Sequence, residues 1–168
     1  MNDRAPAPGG LALVEALVNT VDLESGRDAL DTPEGRARFG VREEDLPDVR
    51  ELRESLRAAC LAHAGHPPHR EVTPLGRLLE RAPLYVAVDE RDGSASLAPL
   101  DTGPLLSRVA AAVAEALTAG TWQRLKACEM PSCLWAYYDR SPAGRGRWCS
   151  MSVCGARAKM RRYRAKAP

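Results

Sequence analysis

The stretch Cys128-Glu129-Met130-Pro131-Ser132-Cys133 is answered fifteen residues later by Cys149-Ser150-Met151-Ser152-Val153-Cys154, and these two hexapeptides decide how the chain is read. Two short cysteine pairs at a hairpin-length separation can close on one tetrahedral Zn²⁺. Pro131 and Ser132 favour a tight turn whose backbone N–H groups can point at the thiolates. Four sulfur ligands leave no coordination position for a water, so the expected ion is structural and not hydrolytic. No nucleophile–base pair, phosphate-cradling glycine loop or carboxylate cluster stands out elsewhere, and the chain is read as a non-enzyme.

Working outward from the cysteines, Trp135, Ala136, Tyr137 and Tyr138 read as a strand. Asp139–Gly146 reads as its hairpin loop, and Arg147-Trp148 begins the return. Ser150 or Ser152 can cap a terminal helix, which would place a thiolate at a favourable helix N-terminus. That helix carries Arg157, Lys159, Arg161, Arg162, Arg164 and Lys166, with Cys154, Ala158 and Ala165 as its buried stripe. Residues 121–168 hold 11 Lys/Arg against 2 Asp/Glu, whereas residues 1–120 hold 13 against 20. The overall charge of +2 therefore hides a cationic end joined to an acidic body, an asymmetry suited to a polyanionic partner. Double-stranded DNA is the expected partner. Arg157, Arg161, Arg162 and Arg164 would supply most of the affinity, while Arg145 and Arg147 hold the backbone. Two further readings use the same residues: RNA or ribosome association, with Trp135, Tyr137, Tyr138 and Trp148 stacking on bases, and a zinc-stabilised adaptor whose basic helix meets an acidic protein.

The preceding sequence is organised by helical spacing and its stop signals. Residues 1–10 form a Pro/Gly-rich start, and residues 11–120 read as one domain. Leu13, Val14, Leu17, Val18 and Val21 predict a helix over 11–21. Thr32-Pro33 starts a short helix that Gly40 ends, and Pro47–Ala64 predicts a longer one ending at Gly65. Thr73-Pro74 repeats the start signal. Leu84–Asp89 and Ser96–Leu100 flank the turn Arg91-Asp92-Gly93-Ser94, which predicts a β-hairpin. Asp101 or Thr102 caps a helix over 104–119 in this reading, and Trp122 and Leu125 pack the junction. Cys60 shares a helical face with Leu52 and Leu56 and reads as a buried small hydrophobe. His63, His66 and His69 fall among Gly65, Pro67 and Pro68, so they read as a polar loop and not as metal ligands.

No signal-peptide pattern and no apolar run of membrane-spanning length is present, so the expected location is the cytosol with no membrane partner. Residues 125–164 closely resemble the CGNR zinc finger in their cysteine spacing, in Trp148-Cys149-Ser150 and in the basic helix. The segment Leu11–Asp22, with Leu17-Val18-Asn19-Thr20-Val21-Asp22, looks like the start of the ABATE domain that usually precedes that finger. The resemblance implies a stress-linked bacterial transcription regulator, in which the finger (residues 121–168) binds DNA and the ABATE domain (residues 11–120) senses a small-molecule effector. One departure stands out: where the family tetrapeptide has Asn, this chain has Ala156. Asn could cap, bond the backbone or hold an adenine edge, and Ala can do none of these. The expected fold class is therefore α+β: a helix-rich N-terminal domain with a small β-hairpin, then a small treble-clef-like zinc finger of hairpin plus terminal helix. The limited reach of such a module favours a homodimer, although no heptad or dimer face is visible in the sequence.

Overall fold

The computed structural model describes residues 5–165. The chain runs α1 (Leu11–Val18), a minimal ribbon of β1 (Val21–Asp22) and β2 (Arg27–Asp28), α2 (Pro33–Ala37), α3 (Leu46–Ala62), α4 (Leu75–Leu79), β3 (Leu84–Val88), β4 (Ala95–Pro99) and α5 (Leu105–Thr118). It continues through β5 (Leu125–Ala127), β6 (Ala136–Tyr138), a wide turn over Met151–Gly155 and α6 (Ala156–Arg164). This is the α+β arrangement expected, with three separate two-stranded antiparallel pairs. No helix among the described residues is long and apolar enough to cross a membrane.

The helix punctuation follows local chemistry, with three corrections. Thr32 caps α2 by accepting from the Gly35 N–H at 3.1 Å, with Pro33 in the first turn. Thr73 does not cap α4: its N–H donates to Glu51 Oε1 at 2.6 Å and its carbonyl accepts from the Ser55 hydroxyl at 2.7 Å. The same residue pair starts one helix and, at the other, splices the loop onto α3. Neither Asp101 nor Thr102 caps α5, because Asp101 Oδ1 is taken by the Gly103 N–H at 2.9 Å. α1 also stops at Val18, short of the expected Val21, because Val21 leaves the helix to pair with Asp28.

One apolar core runs through α1, α3 and α5, with Val14, Leu17, Val18, Leu56, Cys60 and Val109 fully enclosed. Gly10 lets α1 approach α5 closely, since a Cβ there would lie 2.7 Å from Ala112 Cβ. Cys60 is the buried small hydrophobe expected, and burial pushes its thiol pKa up to about 12. The same core extends beyond residue 120 and takes in Leu125, Ala127, Leu134, Ala136 and Tyr138. The strand period of two makes this possible. Leu125, Ala127, Ala136 and Tyr138 turn towards the helices, while Lys126 and Tyr137, paired opposite each other, turn to the other face, Tyr137 packing among the cysteines and Lys126 reaching Asp139.

A charged seam lies beneath this junction. Arg57 on α3 is fully buried, and its guanidinium donates to Glu54 Oε2 (2.9 Å), the Leu134 carbonyl (2.8 Å) and the Val18 carbonyl (2.7 Å). Arg53 bridges Glu54, Thr20 Oγ1 and Asp28. Burial raises the Glu54 pKa, but the Arg57 and Arg53 guanidiniums outweigh it and leave the carboxylate below its ordinary value. Every charge in this seam has an opposite partner or a carbonyl, the condition for keeping ions inside a protein.

Candidate metal centre

The first cysteine pair sits in the connection between β5 and β6, and this corrects the expected finger hairpin. Ala136–Tyr138 pairs with Leu125–Ala127, not with Arg147-Trp148. The turn across Pro131 and Ser132 is tight: the Cys133 and Leu134 N–H groups both donate to the Met130 carbonyl, at 2.8 and 3.1 Å. Leu134 exits that turn at φ 47°, a left-handed conformation costing an L-residue roughly 1–2 kcal/mol. Its buried side chain and the Arg57 bond to its carbonyl hold it there.

Residues 139–146 fold around Asp139 instead of forming a β-turn between strands. The enclosed carboxylate accepts from the Ser141 N–H (3.0 Å), the Gly146 N–H (2.7 Å) and Lys126 Nζ (3.1 Å). Burial raises its pKa, but these donors more than offset it and bring it to about 2. Gly146 is required here, because a Cβ would sit 2.8 Å from Asp139 Oδ1. The loop returns the chain so that the Arg147 carbonyl receives the Glu129 N–H at 3.1 Å, which places Cys149 beside the first pair. Ser150 then caps the wide turn, its hydroxyl accepting from the Val153 N–H at 3.3 Å.

All four sulfurs of Cys128, Cys133, Cys149 and Cys154 lie within 4.8 Å of one another. Cys133–Cys149 and Cys149–Cys154 are each 3.7 Å apart. A tetrahedron with Zn–S bonds of about 2.3 Å has edges of about 3.8 Å, so the cluster already has the dimensions of a zinc cage. S–H groups of Cys133 and Cys149 donate to Cys128 and push its pKa down, to about 4, and Cys149 and Met130 N–H groups also point at it. Cys133 and Cys149 are shifted upward in turn, chiefly by Cys128, and burial raises Cys154. Four thiols so placed cannot all ionise without a cation at their centre, and a coordinated divalent metal removes that obstacle. The set is a closed four-sulfur site for one structural zinc ion, matching the sequence expectation in all four ligands.

The cationic residues are less uniform than their sequence suggests. Arg157 pairs with Glu24 of the β1–β2 turn at 2.8 Å and lies close enough to Cys154 and Cys133 to feel their charge. Arg147 pairs with Glu129 at 2.7 Å and stacks over Trp148 at 5.2 Å. Arg161 folds back to the Met130 sulfur. Arg145, Lys159, Arg162 and Arg164 are exposed and make no ion pair among the described residues. Lys166 lies outside the described residues. Of the expected buried stripe, Cys154 in the wide turn and Ala158 in α6 are buried, but Ala165, just past α6, is exposed. Tyr137 and Tyr138 are buried and offer no stacking surface. Ala156 opens α6 on its exposed side, so a missing Asn there leaves no buried group unpartnered.

Sequence reasoning missed the residues that hold this centre on the helices. Asn19 acts as a surrogate strand, its Nδ2 donating to the Ala136 carbonyl (2.9 Å) and its Oδ1 accepting the Ala136 N–H (2.7 Å). His63 Nδ1 bonds the Leu125 carbonyl at 2.7 Å, and its ring meets Trp122 edge-on. His66 reaches Glu129 and His69 reaches Glu54, so the polar histidine loop works as a clasp. Arg57 had a legible signal, a charged residue inside an apolar helical stripe.

A buried four-thiol cage, a hairpin welded to a helical body and a basic terminal helix define a zinc-finger architecture. Comparison with protein families agrees. Residues 11–120 match the ABATE family, described as "Putative stress-induced transcription regulator", and residues 124–167 match the CGNR zinc finger. The chain belongs to the ABATE family and carries a CGNR zinc finger at its C-terminal end. No curated protein matches the sequence.

Proposed function

We propose that this chain is a DNA-binding transcription regulator, with the zinc centre fixing α6 against duplex DNA and the helical body acting as a sensing domain. One observation carries the reading. From Arg140 to the end of the chain there is no Asp or Glu, and α6 turns its cations outward. At 100° per residue, Ala156, Met160 and Tyr163 form the stripe opposite buried Ala158. Lys159 lies on one shoulder of that stripe and Arg157 and Arg164 on the other, while Arg162 stands about 40° from Ala158, nearer the buried line. Met160 and Tyr163 are 51% and 73% exposed, unusual for such residues without a partner. A small-to-apolar ridge between two cationic shoulders suits a major groove: the shoulders meet phosphates, and the ridge meets base edges such as the thymine methyl. Asn19, Arg57 and His63 join body to finger and give the sensing domain a physical route to the DNA-facing helix. The protein acts in this reading by binding, not catalysis, and does so in the cytosol.

The test uses the full zinc-loaded chain, because severing it at residue 120 would expose Leu125, Ala127 and Ala136. Anisotropy titrations with duplex DNA should show affinity falling steeply between 50 and 200 mM salt, roughly log-linearly. Replacing both Lys159 and Arg164 with Ala, one from each shoulder, should weaken binding on all sequences and reduce the salt slope by about 2. Met160→Ala should instead change which sequences are selected. Equal affinity for single-stranded RNA would favour RNA association, and binding of neither would leave an adaptor that meets an acidic protein.

A further inference from the structure

We infer that the cleft between the β3–β4 hairpin and α5 is a binding site for a small amphipathic carboxylate. The register Leu84↔Pro99, Val86↔Leu97 and Val88↔Ala95 puts six apolar side chains on one face of the hairpin. A two-stranded ribbon with such a face normally buries it against something. Here the face borders a cleft of about 680 Å³ whose other wall is Leu13 of α1 with Ala111, Ala112 and Thr118 of α5. The volume lies within the range of small-molecule sites. Although it overhangs α5, the hairpin keeps Val86, Val88 and Leu97 at 64, 60 and 43% exposure. An apolar body entering the cleft would cover surface that the fold itself leaves wet.

Arg108 gives the cleft its polarity. Its Nη2 donates to the Phe39 carbonyl, its Nε is shut away from solvent without a hydrogen-bond partner, and among the described residues it makes no ion pair. Every other deeply placed arginine of the body, Arg53 and Arg57, has an acidic partner. A planar guanidinium without an anion, at the rim of an apolar cleft, matches a carboxylate in shape and charge. Glu115 also lines the cleft, two helical turns further along α5, where its Oε2 accepts from the Gly10 N–H at 3.3 Å. Two turns are about 11 Å, so the two charges orient the occupant, with its headgroup at Arg108 and its tail directed past Ala111.

This site gives the sensing role a ligand class, and it depends on that role only for its effect on DNA. Isothermal titration of the full zinc-loaded chain with submicellar decanoate should show one saturable site. Decylammonium should bind at least tenfold more weakly. Arg108→Gln should weaken decanoate at least fivefold, and Leu97→Glu, at an exposed position, should do the same without touching the Phe39 bond. Amide NMR shifts should concentrate in residues 84–99 and 105–118. Equal affinity for both amphiphiles, shifts confined to the basic residues of α6, or indifference to both variants would overturn the proposal. So would a dimer whose interface covers the hairpin face and excludes decanoate. These readouts contain no DNA. A protein that binds decanoate here but no duplex would therefore retire the regulator reading and keep the site, whereas duplex binding without a decanoate site would do the reverse.

Discussion

The zinc module has two halves, and they are held by different physics. The β5–β6 half is built into the helical body: Leu125, Ala127 and Ala136 are completely enclosed, and Arg57, Asn19 and His63 bond its backbone. Within α6 only Ala158 is buried, and among the described residues its ion pair to the body is Arg157–Glu24, at 48 and 58% exposure. Such an exposed, solvent-screened pair contributes little. The halves also meet through the Arg147–Glu129 pair and Arg161 against Met130, and the metal adds the central link, with Cys128 and Cys133 on the welded side and Cys149 and Cys154 on the suspended side. The welded half gives a rigid platform; the suspended half leaves a helix with nearly its whole circumference free.

The comparison is most exposed to failure in metal removal, where the largest effect is expected. Chelation, or Cys149→Ser, should abolish α6 helicity and DNA binding together while amides of residues 125–127 and 136–138 stay protected from exchange. Loss of protection in both halves at once would show that the metal, not the body, holds the hairpin. In the same experiment the four zinc thiols should become reactive to alkylation, while Cys60, its pKa near 12, should react only after global unfolding.

A smaller effect, on the welded side, comes from Arg57→Ala. It leaves Glu54 without its Arg57 partner and the Leu134 and Val18 carbonyls without donors, so a loss of about 3–5 kcal/mol is expected in urea unfolding. A loss under about 1 kcal/mol would mean that the weld rests on apolar packing alone.

The smallest effect sharpens the boundary between the halves through Asp139. Its folded pKa of about 2 lies below an unfolded value near 4. A depressed carboxylate pKa stabilises the fold above the unfolded value and stops doing so as pH falls through the folded one. The stability difference between the wild type and Asp139→Asn should be roughly 2 kcal/mol above pH 5 and shrink from pH 4 towards pH 2. Taking the difference cancels acid-driven metal release, which both proteins share. A difference independent of pH would mean that the loop does not depend on the charge of this carboxylate.

Much of this was readable from the chain. The cysteine spacing named the ligands, Thr32-Pro33 with Gly40 placed a helix to within a residue or two, and alternation over Leu84–Val88 placed a strand, because each is a short-range rule. The errors have one character. Thr73, Asp101 and the expected return strand at Arg147-Trp148 all involve a polar group with more than one available partner, and a distant residue won. Asp139 is the clearest case: in sequence it opens a turn, and in space it gathers donors from both sides of its loop. The arginines show the same limit, since composition counts charges but cannot tell Arg162, which faces water, from Arg161, which folds onto Met130.

The primary sequence by itself determined that there is one four-sulfur zinc site and a cationic C-terminal helix, because ligand chemistry and charge are properties of residue type and spacing. Only the tertiary structure decided that half of the finger belongs to the helical body. That outcome rests on a buried arginine finding a carbonyl 77 residues away, an asparagine pairing with a strand edge across 117 residues, and a period-two alternation whose inward face has meaning only once α1 and α3 are beneath it.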